Sequence, residues 1–355
     1  MAFEAAEART ARRRLSLGRF GTLIGRRFRF IVIQLAGAAT LAFFLIRLVP
    51  GDPARILAGP AASPATLAEL RRHLGLDASL PVQYVTFLGN LLRGDLGTSL
   101  TTGQNVSVDL WQRGPATLEL ILFALLVSML IGVPLGVALA RRREKRSGKA
   151  IFGYAMFSGS IPDFWLALIL LYLFSFKWEI FPPPIGRLGF ESPPDRITGM
   201  YTVDSLLTGD FATFWLALQH LALPVLTLTL VYSGLIVKVA NASSEQAFGA
   251  GFVDLYSSVG VRPALALRRA TRLALPPVIT VAAITNGFLL GGAVLVEQVF
   301  AWGGVGQYAV QAVRGADFAA IQGFIVMAAF FNIANYLIAD IALLGVDPRL
   351  GRTEA

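Results

Sequence analysis

The apolar positions of this 355-residue chain gather into six long runs, and these runs predict its elements. A helix that crosses a bilayer needs about 20 mostly apolar residues. Runs at 30–49, 117–140, 151–176, 211–240, 275–299 and 321–344 meet that length. The first carries Arg47 near its end, where a long side chain can snorkel to the membrane surface. The third contains Pro162 and Asp163, and the fourth contains Pro224. The expected class is an all-α polytopic membrane protein. Its expected layout is a basic tail at 1–29, a first span at 30–49 and an outside domain at 50–114. A core of five spans then occupies 115–345, with a cytoplasmic segment at 241–274, and 346–355 forms a second tail.

Charge sets the expected orientation. Roughly two thirds of the 31 lysines and arginines fall in the first tail, in 141–149, between the fourth and fifth runs, and in the last residues. Basic residues collect on the cytoplasmic side, so both ends are expected inside. The net charge of +9 is accounted for by this asymmetry rather than by nucleic acid, since no basic stripe interleaved with aromatics is present. The first tail is read as lying against anionic headgroups, not as a cleavable signal. Composition agrees: 55% of residues are hydrophobic, 15% are charged, and mean hydropathy is +0.63.

Catalytic patterns are missing. There is no Walker A sequence, no HExxH and no GxSxG. There is no cysteine, and His73 and His220 are far apart, so neither a thiol nucleophile nor a histidine metal cluster is expected. Gly303, Gly304 and Gly306 follow a span rather than a strand and read as a turn, not a phosphate cradle. Ionisable residues within apolar runs mark functional sites by default. Asp163, Glu119, Glu297 and Asp340 qualify. For the last three, a place at the membrane interface is the competing reading. For Asp163, two readings stand side by side: lining a polar pathway opened by the Pro162 kink, or merely breaking the helix. His220 lies one turn before Pro224 and is expected to bond the carbonyl that the proline leaves free.

The segment 241–274 is longer than a turn requires. Phe248, Phe252, Leu255, Tyr256 and Val259 recur at helical spacing and predict an amphipathic helix. Gly260 stops it, Pro263 follows, and Arg268, Arg269 and Arg272 precede the next run. Its apolar stripe needs either the membrane surface or a groove in a partner protein. In 50–114, Ser63 is a candidate N-cap for a short helix at 65–74. In 177–210, the prolines at 182, 183 and 184 mark a stiff turn.

Short stretches, in order, resemble one family. They are Arg47-Leu48-Val49-Pro50-Gly51-Asp52-Pro53, Leu74-Gly75-Leu76-Asp77, Pro81-Val82-Gln83-Tyr84 and Gly94-Asp95-Leu96-Gly97-Thr98-Ser99. Ala116-Thr117-Leu118-Glu119-Leu120, Ser160-Ile161-Pro162 with Phe164-Trp165, His220 with Leu223 and Pro224, the glycines around Gly303, and Asp347-Pro348-Arg349 continue the series. Together they resemble the dipeptide/oligopeptide permease subunits of bacterial ABC importers, over about 26–352. The resemblance implies the type I importer permease fold. It further implies a second permease subunit, two ABC ATPase subunits that bind ATP and Mg, and an extracytoplasmic substrate-binding protein. On this chain it implies no bound cofactor and no catalytic residue. The family's Glu-Ala-Ala-x-x-x-Gly coupling motif corresponds to Asp254, Leu255 and Tyr256 followed by Gly260, with Arg262 beside it; only the acid and the glycine are kept. Candidates for lining the implied pathway are Asp163, Phe164, Trp165, Asn286 and Glu297.

Two other classes compete. A secondary carrier needs an intramembrane ion site, for which Asp163 is the one candidate. An intramembrane enzyme needs a nucleophile with a base, or a metal set, and the chain offers neither.

Overall fold

A computed structural model describes residues 29–45, 47, 53–59, 62–73, 75–249, 258, 260 and 263–346. The described residues are mostly helical. Among the described residues there is no sheet, only an isolated antiparallel bridge between Thr98 and Asn105. The helices are α1 (Arg29–Leu45), α2 (Pro53–Ala58), α3 (Pro64–His73), α4 (Leu80–Leu92), α5 (Val106–Arg142) and α6 (Arg146–Phe157). They continue as α7 (Asp163–Leu171), α8 (Tyr201–Thr208), α9 (Phe211–Phe248), α10 (Pro263–Val299), α11 (Val305–Arg314) and α12 (Phe318–Val346).

Six spans are expected, and the described residues give fewer. Four stretches are long and apolar enough to cross a membrane: 106–142, 211–248, 274–299 and 318–343. The third apolar run is a fifth only if its two halves count as one, because they are bent by 108°. The cause is local. Proline disfavours helical geometry in the residue before it, and Ile161 is extended, with φ −94° and ψ 125°. A 3-10 turn at Ser158–Ser160 ends the first half, and a π turn at Tyr172–Lys177 ends the second. The described part of α1 is apolar but shorter than a full span.

The chain divides into two compact units. One comprises 1–94 and 321–333. Within it, Phe43, Phe44, Tyr84 and Phe87 stack α1 on α4, and the Thr40 and Tyr84 hydroxyls lie 2.7 Å apart. Arg47 does not simply snorkel. Its guanidinium stacks on Phe43 and donates to Gln83 Oε1 at 2.6 Å. Ser63 caps α3 as its sequence predicts, accepting from Thr66 N at 3.2 Å.

The other unit comprises 95–320 and 334–355. Helix α9 is its axis, with 72% of its apolar window buried. Small residues let neighbours approach its backbone, the usual device where helices pack in lipid. A Cβ on Gly136 of α5 would stand 2.5 Å from Ala240 Cβ and 2.7 Å from Val237 O. A Cβ on Gly132 would stand 3.0 Å from Ile236 Cγ2. Gly234 gives α6 the same access, and Tyr154 bonds Leu230 O at 3.1 Å. Asn105 caps α5, and Asp210 caps α9 by accepting from Thr213 N at 3.0 Å. Both long helices therefore outrun their apolar windows. Helix α5 begins at Val106 rather than near Thr117, and α9 runs on to Phe248. Pro115, Pro134, Pro224, Pro276 and Pro277 all sit inside continuous helix.

Candidate functional site

Two polar constellations lie within the larger unit, and their chemistry differs. The first is at the bend of the third apolar run. Pro162 occupies the N-cap position of α7, and Asp163 opens its first turn. Phe164 N donates to Asp163 Oδ1 at 2.9 Å, and the Tyr232 hydroxyl of α9 donates to Oδ2 at 3.1 Å. The facing residue on α10 is Gly292, where a Cβ would run into both the Tyr232 hydroxyl and Asp163 Oδ2. Three helices thus meet around one half-buried carboxylate. Phe164 and Trp165 are 42% and 50% exposed on α7.

The second constellation is a buried knot at the Trp302 end of the same helices. Glu297 is fully buried within the protein. Thr117 donates to its Oε1, and Gln307 N donates to Oε2 at 2.9 Å. The Thr117 oxygen in turn accepts from Val305 N at 2.9 Å. Gly304 and Gly306 leave room for this carboxylate, since a Cβ on either would strike it. Trp302 Nε1 donates to Ala116 O at 2.9 Å. Glu119, also buried, pairs with Arg187 and accepts from Thr202 N and Oγ1 at 2.7 and 2.6 Å. Arg187 stacks on Tyr201 at 3.4 Å and donates to Gly199 O at 3.1 Å.

Two further carboxylates hold the surrounding loops. Asp204 is buried, which opposes its charge, but it accepts from Thr198 Oγ1 and N at 2.6 and 2.7 Å and from Gly199 N at 2.8 Å. These bonds outweigh burial and keep its carboxyl below the ordinary aspartate value. Asp317 accepts from Ser99 Oγ at 2.5 Å and Thr101 N at 3.0 Å. Nearby, burial first and then the charge of Asp109 push the Tyr308 hydroxyl up to about 12.

The other sequence candidates fall elsewhere. Asn286 of α10 donates to Asn335 Oδ1 of α12 at 2.8 Å, and Asn335 donates to Ala283 O at 2.8 Å. Asp340 is half-buried on α12. His220 turns toward the 182–189 loop, against Gly189 and the backbone of Gly186, rather than along its own helix to Pro224. Asp254, Leu255, Tyr256 and Arg262 lie outside the described residues, as does most of the predicted amphipathic helix. Gly260 is described and has φ +71°, a conformation that favours glycine. Tyr232, Gly292, Arg187 and Trp302 were not singled out by sequence. Each becomes visible only through a partner more than sixty residues away in the chain.

The described residues hold no cluster of three or more His, Cys, Asp or Glu able to bind a metal. The arrangement orients helices and presents a half-buried carboxylate at the bend.

Comparison with known proteins accords with this. Residues 132–352 match the family model for the binding-protein-dependent transport system inner membrane component, and 19–121 match its N-terminal companion. A probable D,D-dipeptide transport system permease protein of Escherichia coli (strain K12) is 39% identical over 94% of this chain and 98% of its own length. A di/tripeptide transport system permease protein of Pseudomonas aeruginosa is 34% identical over 93% and 98%. A dipeptide transport system permease protein of Alkalihalophilus pseudofirmus is 32% identical over 92% and 98%. The chain is a multi-pass inner-membrane protein with the type I ABC importer permease fold, and it belongs to the family of binding-protein-dependent transport system inner membrane components.

Proposed function

We propose that this chain is one of two channel-forming subunits of an ATP-driven, binding-protein-dependent importer of peptides or similar small solutes. The observation that carries this reading is the match to the permease family along almost the whole chain, with relatives named for dipeptide transport. In this reading both termini are cytoplasmic, a second permease subunit completes the pathway and lipid covers the remaining apolar faces. Two ABC ATPase subunits dock on 241–274 and hold the ATP and Mg. A substrate-binding protein delivers cargo at the Trp302 end.

The coupling route follows from connectivity. Helix α9 ends at Phe248 and α10 begins at Pro263, so one short segment joins the two helices that carry Tyr232 and Gly292. Asp254, Leu255, Tyr256, Gly260 and Arg262 lie in that segment. A push on it from the ATPases would reach the Asp163 bend through rigid helix, as alternating access by rigid-body rocking requires. Coupling then means that ATP and cargo bias the same two states.

The test is purification of the tagged chain from detergent-solubilised membranes, followed by reconstitution of whatever assembles. Co-purification of a second permease and P-loop ATPases, with ATP-dependent uptake of dipeptide into proteoliposomes, is the expected result. A chain that purifies without an ATPase and drives uptake from a proton gradient would replace this reading with a secondary carrier.

A further inference from the structure

The carboxylates of this chain show how it treats a purely structural acid. Glu119, Asp204, Glu297 and Asp317 are each no more than 2% exposed, and each is enclosed by two or more hydrogen-bond donors. Glu119 is also neutralised by Arg187. Asp163 differs in every respect. It is only half-buried and lies at the break between the two bent halves of the third apolar run. Among the described residues no lysine, arginine or histidine pairs with it. One side chain, Tyr232, and its own helix's Phe164 N are its donors.

A carboxylate oxygen can accept two hydrogen bonds. Each oxygen of Asp163 therefore keeps an unused acceptor site, and the Tyr232 oxygen keeps lone pairs beside them. Gly292 lets α10 pack closely against both acceptors, because any side chain there would strike the Tyr232 hydroxyl and Asp163 Oδ2. An acid within an apolar run that no cation neutralises marks a functional site by default. Three acceptors grouped where α7, α9 and α10 meet match a primary ammonium, which has three donors and no acceptor.

We propose that Asp163 and the Tyr232 hydroxyl form a recognition point for the free ammonium group of the transported solute, the α-ammonium where the solute is a peptide. This rests on the importer reading above and deepens it. Because α7, α9 and α10 each contribute one wall, the point opens or closes as those helices shift against one another. Cargo is then held by its charged end in one state and released in the other.

The experiment uses the whole importer, with its partner permease, ATPases and binding protein, in proteoliposomes. The probes are alanylalanine and N-acetyl-alanylalanine. The binding protein's affinity for each is measured first, and each probe is supplied above saturation. Wild-type importer is expected to take up the free amine at least about tenfold faster, the lower end of a charge-assisted hydrogen bond's contribution. Asp163→Asn, which keeps the shape and removes the charge, is expected to bring that ratio to within about twofold of one. Asp163→Glu is expected to restore part of it. A ratio that is unchanged in Asp163→Asn, including a parallel loss of both uptakes, overturns the proposal, as does a wild-type ratio near one. If Asp163→Asn does not co-purify with its partners, Tyr232→Phe is judged by the same ratio. Wild-type importer that takes up neither probe with ATP overturns the importer reading itself, and this proposal with it.

Discussion

At the scale of residues, the carboxylates divide by what surrounds them, and the division was only partly legible. Asp163 stood out because it follows a proline within an apolar run. Glu297 gave no sign of its burial, because Thr117 lies 180 residues away in sequence and its other donor, Gln307, belongs to the next helix, α11. Asp204 was invisible for a related reason: it organises 197–199, a loop with no periodicity to read. Its chemistry is testable. The folded carboxyl titrates below its ordinary value of 3.8. Its stabilisation is therefore complete above that value and is lost as pH falls through the lower, folded one. Asp204→Asn turns amide hydrogens toward backbone N–H donors and should cost about 1–3 kcal/mol near neutrality. Melting of the purified complex should show this gap at about pH 7 and its narrowing toward about pH 3. A gap of constant size across that range would mean that charge on Asp204 contributes nothing.

Among the elements, the apolar runs located helices well and their ends poorly. Periodicity marks where a helix meets lipid or core, whereas capping and continued hydrogen bonding decide where it stops. Helices α5 and α9 extend past their apolar windows because Asn105 and Ala240 to Phe248 continue the helix outside them. The third run was the converse: apolar throughout, yet broken, because Pro162 forces Ile161 into extended geometry. Gly260 is the element-scale test of coupling. At φ +71° an L-residue costs about 1–2 kcal/mol, but a Cβ there would meet nothing within 4 Å. Gly260→Leu should therefore insert and assemble normally while bending the segment that joins α9 to α10. The expected outcome is retained ATP hydrolysis with fewer peptides moved per ATP, by about tenfold if roughly 1.4 kcal/mol of the strain falls on the coupled state. Uptake and hydrolysis that remain in their wild-type ratio would remove Gly260 from the coupling route.

For the larger unit taken whole, the question is which helices move as one body. The α5–α9 contact is the tightest candidate. Gly132 and Gly136 bring the backbones close enough that Ile236 and Ala240 sit in the space a side chain would fill. Close-packed interfaces of this kind transmit displacement instead of absorbing it. The α7–α9–α10 meeting at Asp163 has a different character, being polar, half-buried and bridged through one hydroxyl. Rocking should therefore leave α5 and α9 fixed to each other and change the walls around Asp163. The chain has no cysteine, so an engineered pair reports without background. A Cβ on Gly132 would lie 3.1 Å from Ile236 Cβ, within a small adjustment of the roughly 3.5–4.5 Å that a disulfide spans. Gly132→Cys with Ile236→Cys, oxidised in the assembled importer, should crosslink and still support ATP-driven uptake at more than about half the rate of the same protein reduced. Uptake that stops on oxidation and returns on reduction would show that α5 and α9 must part during the cycle, and the moving boundary would then have to be drawn along α9 itself.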